Sequence, residues 1–307
     1  MEINILEYSG AGDGRSIIDA YVEQVAQLHD EGFTRVWSTQ MPFERDLLTA
    51  MAVAFREVDG IELATGVLPI QNQHPMLLAQ RALTLNAIAG GRLVLGLGMT
   101  HATVSEGMWG IPWDKPIRRL GEFLDGLLPL LDGQPVNVTG ETVTSRGALQ
   151  IPGASAPPVY IAALGPQMLK LAGRRTAGTV TWMTGPKTLA EHIGPVLRDA
   201  AVAAGRPRDA VRVGSALPVA VTDDVDALRT FAAQRYAMYG QLPSYRAMLD
   251  REGYAGPEDA ALIGSEGEVT ERLAEVRAAG VDEFVADTFD PAPEGRARTR
   301  ALLRSLA

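Results

Sequence analysis

The sequence predicts an α/β protein of the (β/α)8 barrel class. Three observations carry that expectation. Short apolar runs alternate with longer segments whose apolar residues recur at helical spacing. The alternation fills the 307 residues with no Pro/Ser/Gly-rich tether and no block of like charge, so one domain spanning 1–307 is expected. Strands separated by helices must run parallel, with right-handed crossovers. An open doubly wound sheet satisfies the same pattern. The closed barrel is preferred because no second-domain linker interrupts the repeat.

The elements follow in order. A strand over 3–6 precedes a helix in which Ile17, Ile18, Tyr21, Val22, Val25 and Leu28 share a face, closed by Gly32. A strand over 35–37 leads to a helix over 46–58. A strand over 61–67 leads to a helix over 75–89, where Pro75 occupies the first turn, which needs no N–H. Gly90 and Gly91 stop it, and 93–97 is the fourth strand. After a helix over 115–131, residues 133–153 are rich in Gly, Val and Thr and read as a hairpin inserted after the fourth strand. The alternation then resumes, with strands over 159–162, 179–182, 211–221 and 283–286. The helices between and after them fall at 166–175, 186–204, 225–238, 267–279 and 295–306, and irregular helical turns at 241–261.

Composition excludes several classes of function. With no cysteine there is no disulfide framework, iron–sulfur cluster, zinc ribbon or thiol nucleophile. The 28 Lys+Arg against 37 Asp+Glu give a net charge of −9, which argues against nucleic acid or an anionic membrane as main partner. No run approaches the ~18 apolar residues of a membrane span, and MEINILEYSG lacks a basic start before an apolar run. A cytoplasmic protein with a small-molecule substrate is expected. The four histidines are scattered and form no zinc motif, so no metal is expected; no nucleophile elbow or Walker loop occurs either. Gly10-Ala11-Gly12-Asp13-Gly14 sits where a dinucleotide-binding turn would, but its third glycine is misplaced. Ser38-Thr39-Gln40 also replaces the expected acidic residue, so a surface loop is the better reading.

In a parallel barrel the chemistry lies at the C-terminal strand ends. The residues there are Ser38-Thr39-Gln40, Gly66-Val67-Leu68, Gly98-Met99-Thr100-His101, Ala162-Ala163-Leu164-Gly165-Pro166 and Met183-Thr184-Gly185-Pro186. They are rich in Gly, Ala, Thr and amides and poor in carboxylates, so paired general acids are not expected. Such a set lets a large flat ligand approach backbone, and hydride chemistry by a bound cofactor fits it. Ala163-Leu164-Gly165-Pro166-Gln167 opens one helix, and Gly185-Pro186-Lys187 opens the next. Free N–H groups at these starts could hold a phosphate.

Several stretches match a family in order and spacing. They are Gly32-Phe33-Thr34-Arg35-Val36-Trp37, Ala64-Thr65-Gly66-Val67 with Gln73-His74-Pro75, and Gly90-Gly91-Arg92-Leu93-Val94-Leu95-Gly96-Leu97-Gly98. Further on come Pro157 to Pro166, Ala172-Gly173, Ile263-Gly264-Ser265 with Glu268-Val269, and Ala279-Gly280-Val281-Asp282. The chain thereby resembles the luciferase-like monooxygenase superfamily, and within it the oxidoreductases dependent on coenzyme F420. The resemblance implies a bacterial luciferase-like (β/α)8 barrel with an insertion, and a flavin or deazaflavin ring in the barrel mouth. It implies a non-prolyl cis peptide at Gly66-Val67, and a cofactor contact from the segment Gly98 to His101. Thr100 would hydrogen-bond the cofactor, and His101 would exchange a proton during turnover. Relatives often carry an ionisable residue after the second strand, where this chain has Gln40, or Thr39 one position earlier. The activity implied is hydride transfer between C5 of F420 and an unidentified organic substrate. Two alternatives are an FMN-dependent monooxygenase served by a partner reductase, and a non-catalytic flavin- or deazaflavin-binding protein. A homodimer is expected by the same resemblance. Trp109 and Trp113 are candidate substrate-pocket walls, and His74 a helix cap.

Overall fold

The computed structural model describes residues 1–7 and 16–307. The glycine-rich segment 10–14 lies outside the described residues. Strand β1 (Glu2–Glu7) is followed by α1 (Ile17–Asp30), β2 (Arg35–Ser38), α2 (Leu47–Glu57) and β3 (Glu62–Thr65). Next come the short β4 (Leu68–Pro69), α3 (Pro75–Ala89), β5 (Leu93–Gly98), the one-turn α4 (Ala102–Ser105) and α5 (Pro116–Leu131). The hairpin β6 (Val136–Thr139) and β7 (Thr144–Gly147) precedes β8 (Val159–Ala162). Residues 7–30 and 34–162 form one compact unit; residues 1–6, 31–33 and 163–307 form the other.

In the first unit β2, β3, β5 and β8 run parallel, pairing Trp37 with Ala64, Ala64 with Val94 and Gly96 with Tyr160. Their residues are buried on both faces, as the near-continuous apolar runs of the sequence require. The covering helices turn one stripe inward. Helix α1 buries Tyr21, Val25 and Leu28, and α5 buries Leu120, Phe123, Leu124 and Leu127. Asp46 caps α2 by accepting the Thr49 N–H at 2.9 Å. His74 caps α3, its Nδ1 accepting the Met76 N–H at 3.2 Å, and its Nε2 lies 2.9 Å from the Thr144 carbonyl on the hairpin. The antiparallel hairpin falls inside the predicted 133–153 excursion.

The expected strand over 61–67 is two pieces. The Gly66–Val67 peptide is cis, so β3 ends at Thr65 and β4 resumes beside β5, Leu68 pairing with Leu97. Gly96 makes room for this turn. The Thr65 hydroxyl donates to the Gly96 carbonyl at 2.7 Å and accepts the Gly96 N–H at 2.8 Å. A Cβ on Gly96 would overlap the Thr65 carbonyl oxygen.

The second unit continues with α6 (Pro166–Arg175), β9 (Gly178–Trp182), α7 (Pro186–Thr188), α8 (Gly194–Ala203) and β10 (Arg212–Val221). Then follow α9 (Val225–Arg235), α10 (Ala237–Gln241), α11 (Pro243–Glu252), β11 (Leu262–Gly264), α12 (Glu266–Ala278), β12 (Glu283–Thr288) and α13 (Pro293–Ser305). β10 lies between β9 and β12, and β12 pairs β1, all parallel: Val180 with Gly214, Gly214 with Glu283, and Ile3 with Phe284. Three expectations change here. The single helix over 186–204 is interrupted by a π turn, Leu189–Ile193, just ahead of Pro195, which has no N–H for the regular ladder. Leu262–Gly264 is a strand that the three-residue run concealed; it pairs β10, Val219 beside Leu262. Segment 241–261 holds a ten-residue helix, α11, rather than turns alone.

The parallel strands β1, β2, β3, β5, β8, β9, β10 and β12 belong to one sheet, which closes through the β9–β10 pairing as a (β/α)8 barrel. Among the described residues no helix is long and apolar enough to cross a membrane. Replacing Gly96 by Ala is expected to cost about 2 kcal/mol, because backbone rather than a movable side chain occupies the Cβ position. Urea unfolding measures it; an unchanged midpoint would contradict the tight β3–β5 approach.

Candidate functional site

Glu7 ends β1, and its side chain is fully buried. Arg45, in the loop before α2, reaches it, with Nη2 3.0 Å from Oε2; the arginine side chain is itself only 3% exposed. The guanidinium stacks 4.4 Å above the Tyr21 ring, which fixes its plane. The Tyr21 hydroxyl lies 3.1 Å from the Ser38 hydroxyl at the end of β2. Burial raises the Glu7 carboxyl to about 7 against the lowering effect of Arg45, with smaller lowering contributions from Ser38. Desolvation of the carboxylate therefore outweighs the ion pair. Glu7 Oε1, Arg45 Nε, Arg45 Nη1 and Thr39 Oγ1 are buried with no hydrogen-bond partner among the described residues. Such atoms cost about 1–3 kcal/mol each when nothing satisfies them. The Thr39 N–H donates to the Glu7 carbonyl at 3.3 Å, so the three residues adjoin.

Gln40 is held differently. Its Nε2 donates to the carbonyls of Met41 at 2.9 Å and Arg45 at 3.1 Å, and its Oε1 accepts the Leu47 N–H at 2.7 Å. The amide thus organises the loop that carries Arg45 and starts α2. Gln40 and Trp109 also line a cleft of about 240 Å³ with Asp46, Leu68, Asn72 and Arg81.

Gly66, Val67, Gly98 and Ala162 meet on one patch. A Cβ on Gly98 would press on the Val67 and Ala162 side chains, so the bulge and the end of β5 fit only with glycine there. The next residue but one, Thr100, is pinned through its backbone. Its N–H donates to Gln71 Oε1 at 3.1 Å, and its carbonyl accepts Trp113 Nε1 at 2.7 Å. Trp113 therefore shapes the loop, and the Thr100 hydroxyl takes no part in that clamp. His101 begins α4; partial burial lowers its pKa, which keeps the imidazole neutral at pH 7.

The second unit contributes Ala163 to Gln167 and Gly185. Gly165 caps α6 with no side chain, and nothing occupies the space where its Cβ would lie. The first-turn N–H groups of α6, including that of Gln167, thus have no side-chain cap. Buried His192, on the π turn, places Nε2 2.9 Å from the Leu164 carbonyl. The other predicted phosphate site is taken. The Glu252 carboxylate accepts the Thr188 N–H and lies where a Gly185 Cβ would be. An acidic side chain already caps α7, so Gly185 offers no open anion site. Within the same unit Asp287, near the end of β12, is buried and accepts the Tyr236 hydroxyl at 2.6 Å. Burial raises it to about 6 against the lowering hydrogen bond and Arg235. Trp182 packs edge-on against both Tyr236 and Tyr239.

The expectation of strand ends poor in carboxylates is corrected by Glu7 and Asp287. The first was missed because a charged residue after Ile3-Asn4-Ile5-Leu6 reads as the start of a loop. The signal was present in Arg45 and Tyr21, but their convergence on Glu7 is a tertiary fact. Among the described residues no cluster of His, Asp and Glu could hold a metal ion.

A model of the luciferase-like monooxygenase family matches residues 3–283. The 5,10-methylenetetrahydromethanopterin reductase of Methanolobus tindarius is 30% identical over 235 residues, 76% of this chain and 71% of that protein. The reductase of the same name from Archaeoglobus fulgidus is 31% identical over 232 residues, 75% and 68% of the two chains. Among solved structures, the coenzyme F420 dependent tetrahydromethanopterin reductase of Methanopyrus kandleri superposes with a TM-score of 0.82 at 20% identity, covering 99% of this chain and 97% of that one. The oxygenating constituent of 3,6-diketocamphane monooxygenase from Pseudomonas putida, in complex with FMN, gives 0.79 at 19% identity over 99% and 97%. These relatives are reductases and oxygenases on one scaffold, and with the match over 3–283 they establish that the chain belongs to the luciferase-like monooxygenase family.

Proposed function

We propose that the chain is an oxidoreductase that moves a hydride between coenzyme F420 and a small organic substrate. The observation that carries this reading is Glu7: a buried carboxyl whose pKa lies near neutrality, with one oxygen unpartnered. Hydride transfer to an organic acceptor needs a proton as well, and a group titrating near 7 can give or take one at working pH. Gln40 leaves the position after the second strand without an ionisable group, and Glu7 offers one at the neighbouring strand end. The coenzyme F420 dependent tetrahydromethanopterin reductase that shares the fold supports F420 over FMN.

Each unit, taken by itself, carries residues suited to a part of such a cofactor. The uncapped N-terminus of α6, Gly165 to Gln167, would hold a phosphate through backbone N–H groups. The Gly66–Val67 bulge and the glycine-lined end of β5 would seat a flat ring, and the Thr100 hydroxyl would hydrogen-bond it. F420, when bound, supplies or accepts the hydride at C5. Neutral His101 can accept a proton, and Glu7 can hold one. A homodimer in the cytoplasm, acting on a small molecule, belongs to the same proposal. An FMN-dependent monooxygenase is the second reading, favoured by the structural match to an FMN-bound oxygenase.

Titrating the purified chain with F420 and with FMN, followed by fluorescence, separates the two. Micromolar F420 binding without FMN binding is expected; the reverse result overturns the proposal. The Glu7 assignment has its own pH signature. The unfolded carboxyl ionises near 4.5 and the folded one near 7, so its contribution to stability falls as pH rises between those values and levels off above. The urea-unfolding free energy of the wild type minus that of Glu7→Gln should fall across pH 4.5–7. A difference that is flat or rises over that range would contradict the assignment.

A further inference from the structure

We propose that the cleft lined by Gln40 and Trp109 receives a planar, uncharged end of the organic substrate. Its volume is about 240 Å³, and all its lining residues belong to the first unit. Leu68 and Pro69, next in the chain after the Gly66–Val67 bulge, line it together with Trp109. It is smaller than the ~300–1,000 Å³ of drug-sized sites, so it takes a small molecule or one end of a larger one. Trp109 sets the shape of the occupant. The other three tryptophans are committed elsewhere. Trp37 packs edge-on against Tyr160, Trp113 Nε1 donates to the Thr100 carbonyl, and Trp182 packs against Tyr236 and Tyr239. The Trp109 indole has neither ring partner nor hydrogen bond among the described residues. An indole left open on a cleft favours a flat ligand against it. The rim is apolar as well: Phe43, next to the lining Pro42, is 70% exposed, and Met108, next to Trp109, is 55% exposed. Large apolar side chains left bare around one opening mark a place for an organic molecule.

Charge excludes an ion. The charged lining residues are Arg81 and Asp46, one of each sign, with Arg81 Nη2 3.6 Å from Asp46 Oδ1. Their fields nearly cancel for a ligand beside both. An ion would give up hydration there and gain no net counter-charge, whereas a neutral molecule gives up far less. The pair is also loose. Its separation exceeds hydrogen-bond length, and the side chains are 42% and 45% exposed, so guanidinium N–H groups remain for an acceptor on the ligand. Asp46 Oδ2 is already taken by the N–H and hydroxyl of Thr49. The Asn72 amide, exposed and without a partner among the described residues, offers both a donor and an acceptor. The matching class is an uncharged planar molecule that carries a carbonyl and an N–H or O–H group. Calling the occupant the substrate rests on the proposed function; the cleft and its chemistry do not.

The test is NMR titration of the full chain at pH 7, with and without F420, using benzamide, benzoate and benzamidinium as probes. The three share one shape and are neutral, anionic and cationic. Benzamide should shift the Trp109 indole N–H signal and bind about tenfold tighter than either ion. Trp109→Ala should lose about tenfold in benzamide affinity. Arg81→Met leaves Asp46 unopposed, so benzamidinium should gain about tenfold and benzoate should not. Asp46→Asn, which keeps a capping side chain for α2, should give benzoate the same gain. No benzamide binding, benzamide binding that leaves the Trp109 signal unmoved, or an ion that binds the wild type as tightly as benzamide overturns the proposal. So do charge variants that leave the affinities of both ions unchanged, since a merely structural role for Arg81 and Asp46 would not alter the preference for charge. A chain that binds F420 but not benzamide keeps the proposed function and loses this cleft. One that binds benzamide but not F420 keeps the cleft and loses the cofactor assignment.

Discussion

A carboxyl buried at the end of a barrel strand has to be answered by a cation, and the architecture around Glu7 follows from that need. Arg45 comes from the loop that Gln40 ties together and lies flat on Tyr21, and one of its N–H groups reaches the carboxyl. The pairing is incomplete, since burial still holds the carboxyl near 7 and several donors are left over. A pair optimised for stability would satisfy those atoms; one that exchanges a proton or receives a ligand leaves them unsatisfied. The Gln40 amide, which occupies the position expected to be ionisable, then acts on the site through the loop that presents Arg45.

The same logic governs anions elsewhere in the fold. A protein of net charge −9 that binds a phosphate must concentrate positive potential locally. Two helix starts in the second unit look equivalent as sequence, each opening on a Gly-Pro pair, Gly165-Pro166 and Gly185-Pro186. They differ in the folded chain because α11 delivers Glu252 to the start of α7, whereas the start of α6 has no capping side chain. His192 adds a contact to the Leu164 carbonyl, on the loop just before α6, from the π turn that Gly194 and Pro195 follow. One start is capped from within and the other has no capping side chain among the described residues.

The parallel alternation, the eight barrel strands and the hairpin insertion were legible because they rest on periodicity and on breakers such as Gly90-Gly91 and Pro75. So was the Gly66–Val67 bulge, which came from the family resemblance and not from any local pattern. β11 was hidden because three residues carry no period. Glu7 and Asp287 were hidden because their burial depends on Arg45 and on Tyr236, which lie 38 and 51 residues away in the chain. Strand ends are where sequence reading is weakest, since a polar residue there is equally consistent with a solvated loop. They are also where a barrel keeps its chemistry.

Glu7, with its carboxyl raised to about 7, is a neutral carboxylic acid just below pH 7 and gives up its proton just above it. Infrared difference spectroscopy of the F420-loaded protein reads that state directly, through the carbonyl stretch of a protonated carboxyl. A band that shifts in D2O, disappears between pH 6 and pH 8 and is absent in Glu7→Gln is expected. A Glu7 that is already ionised at pH 6, with no such band, would contradict it.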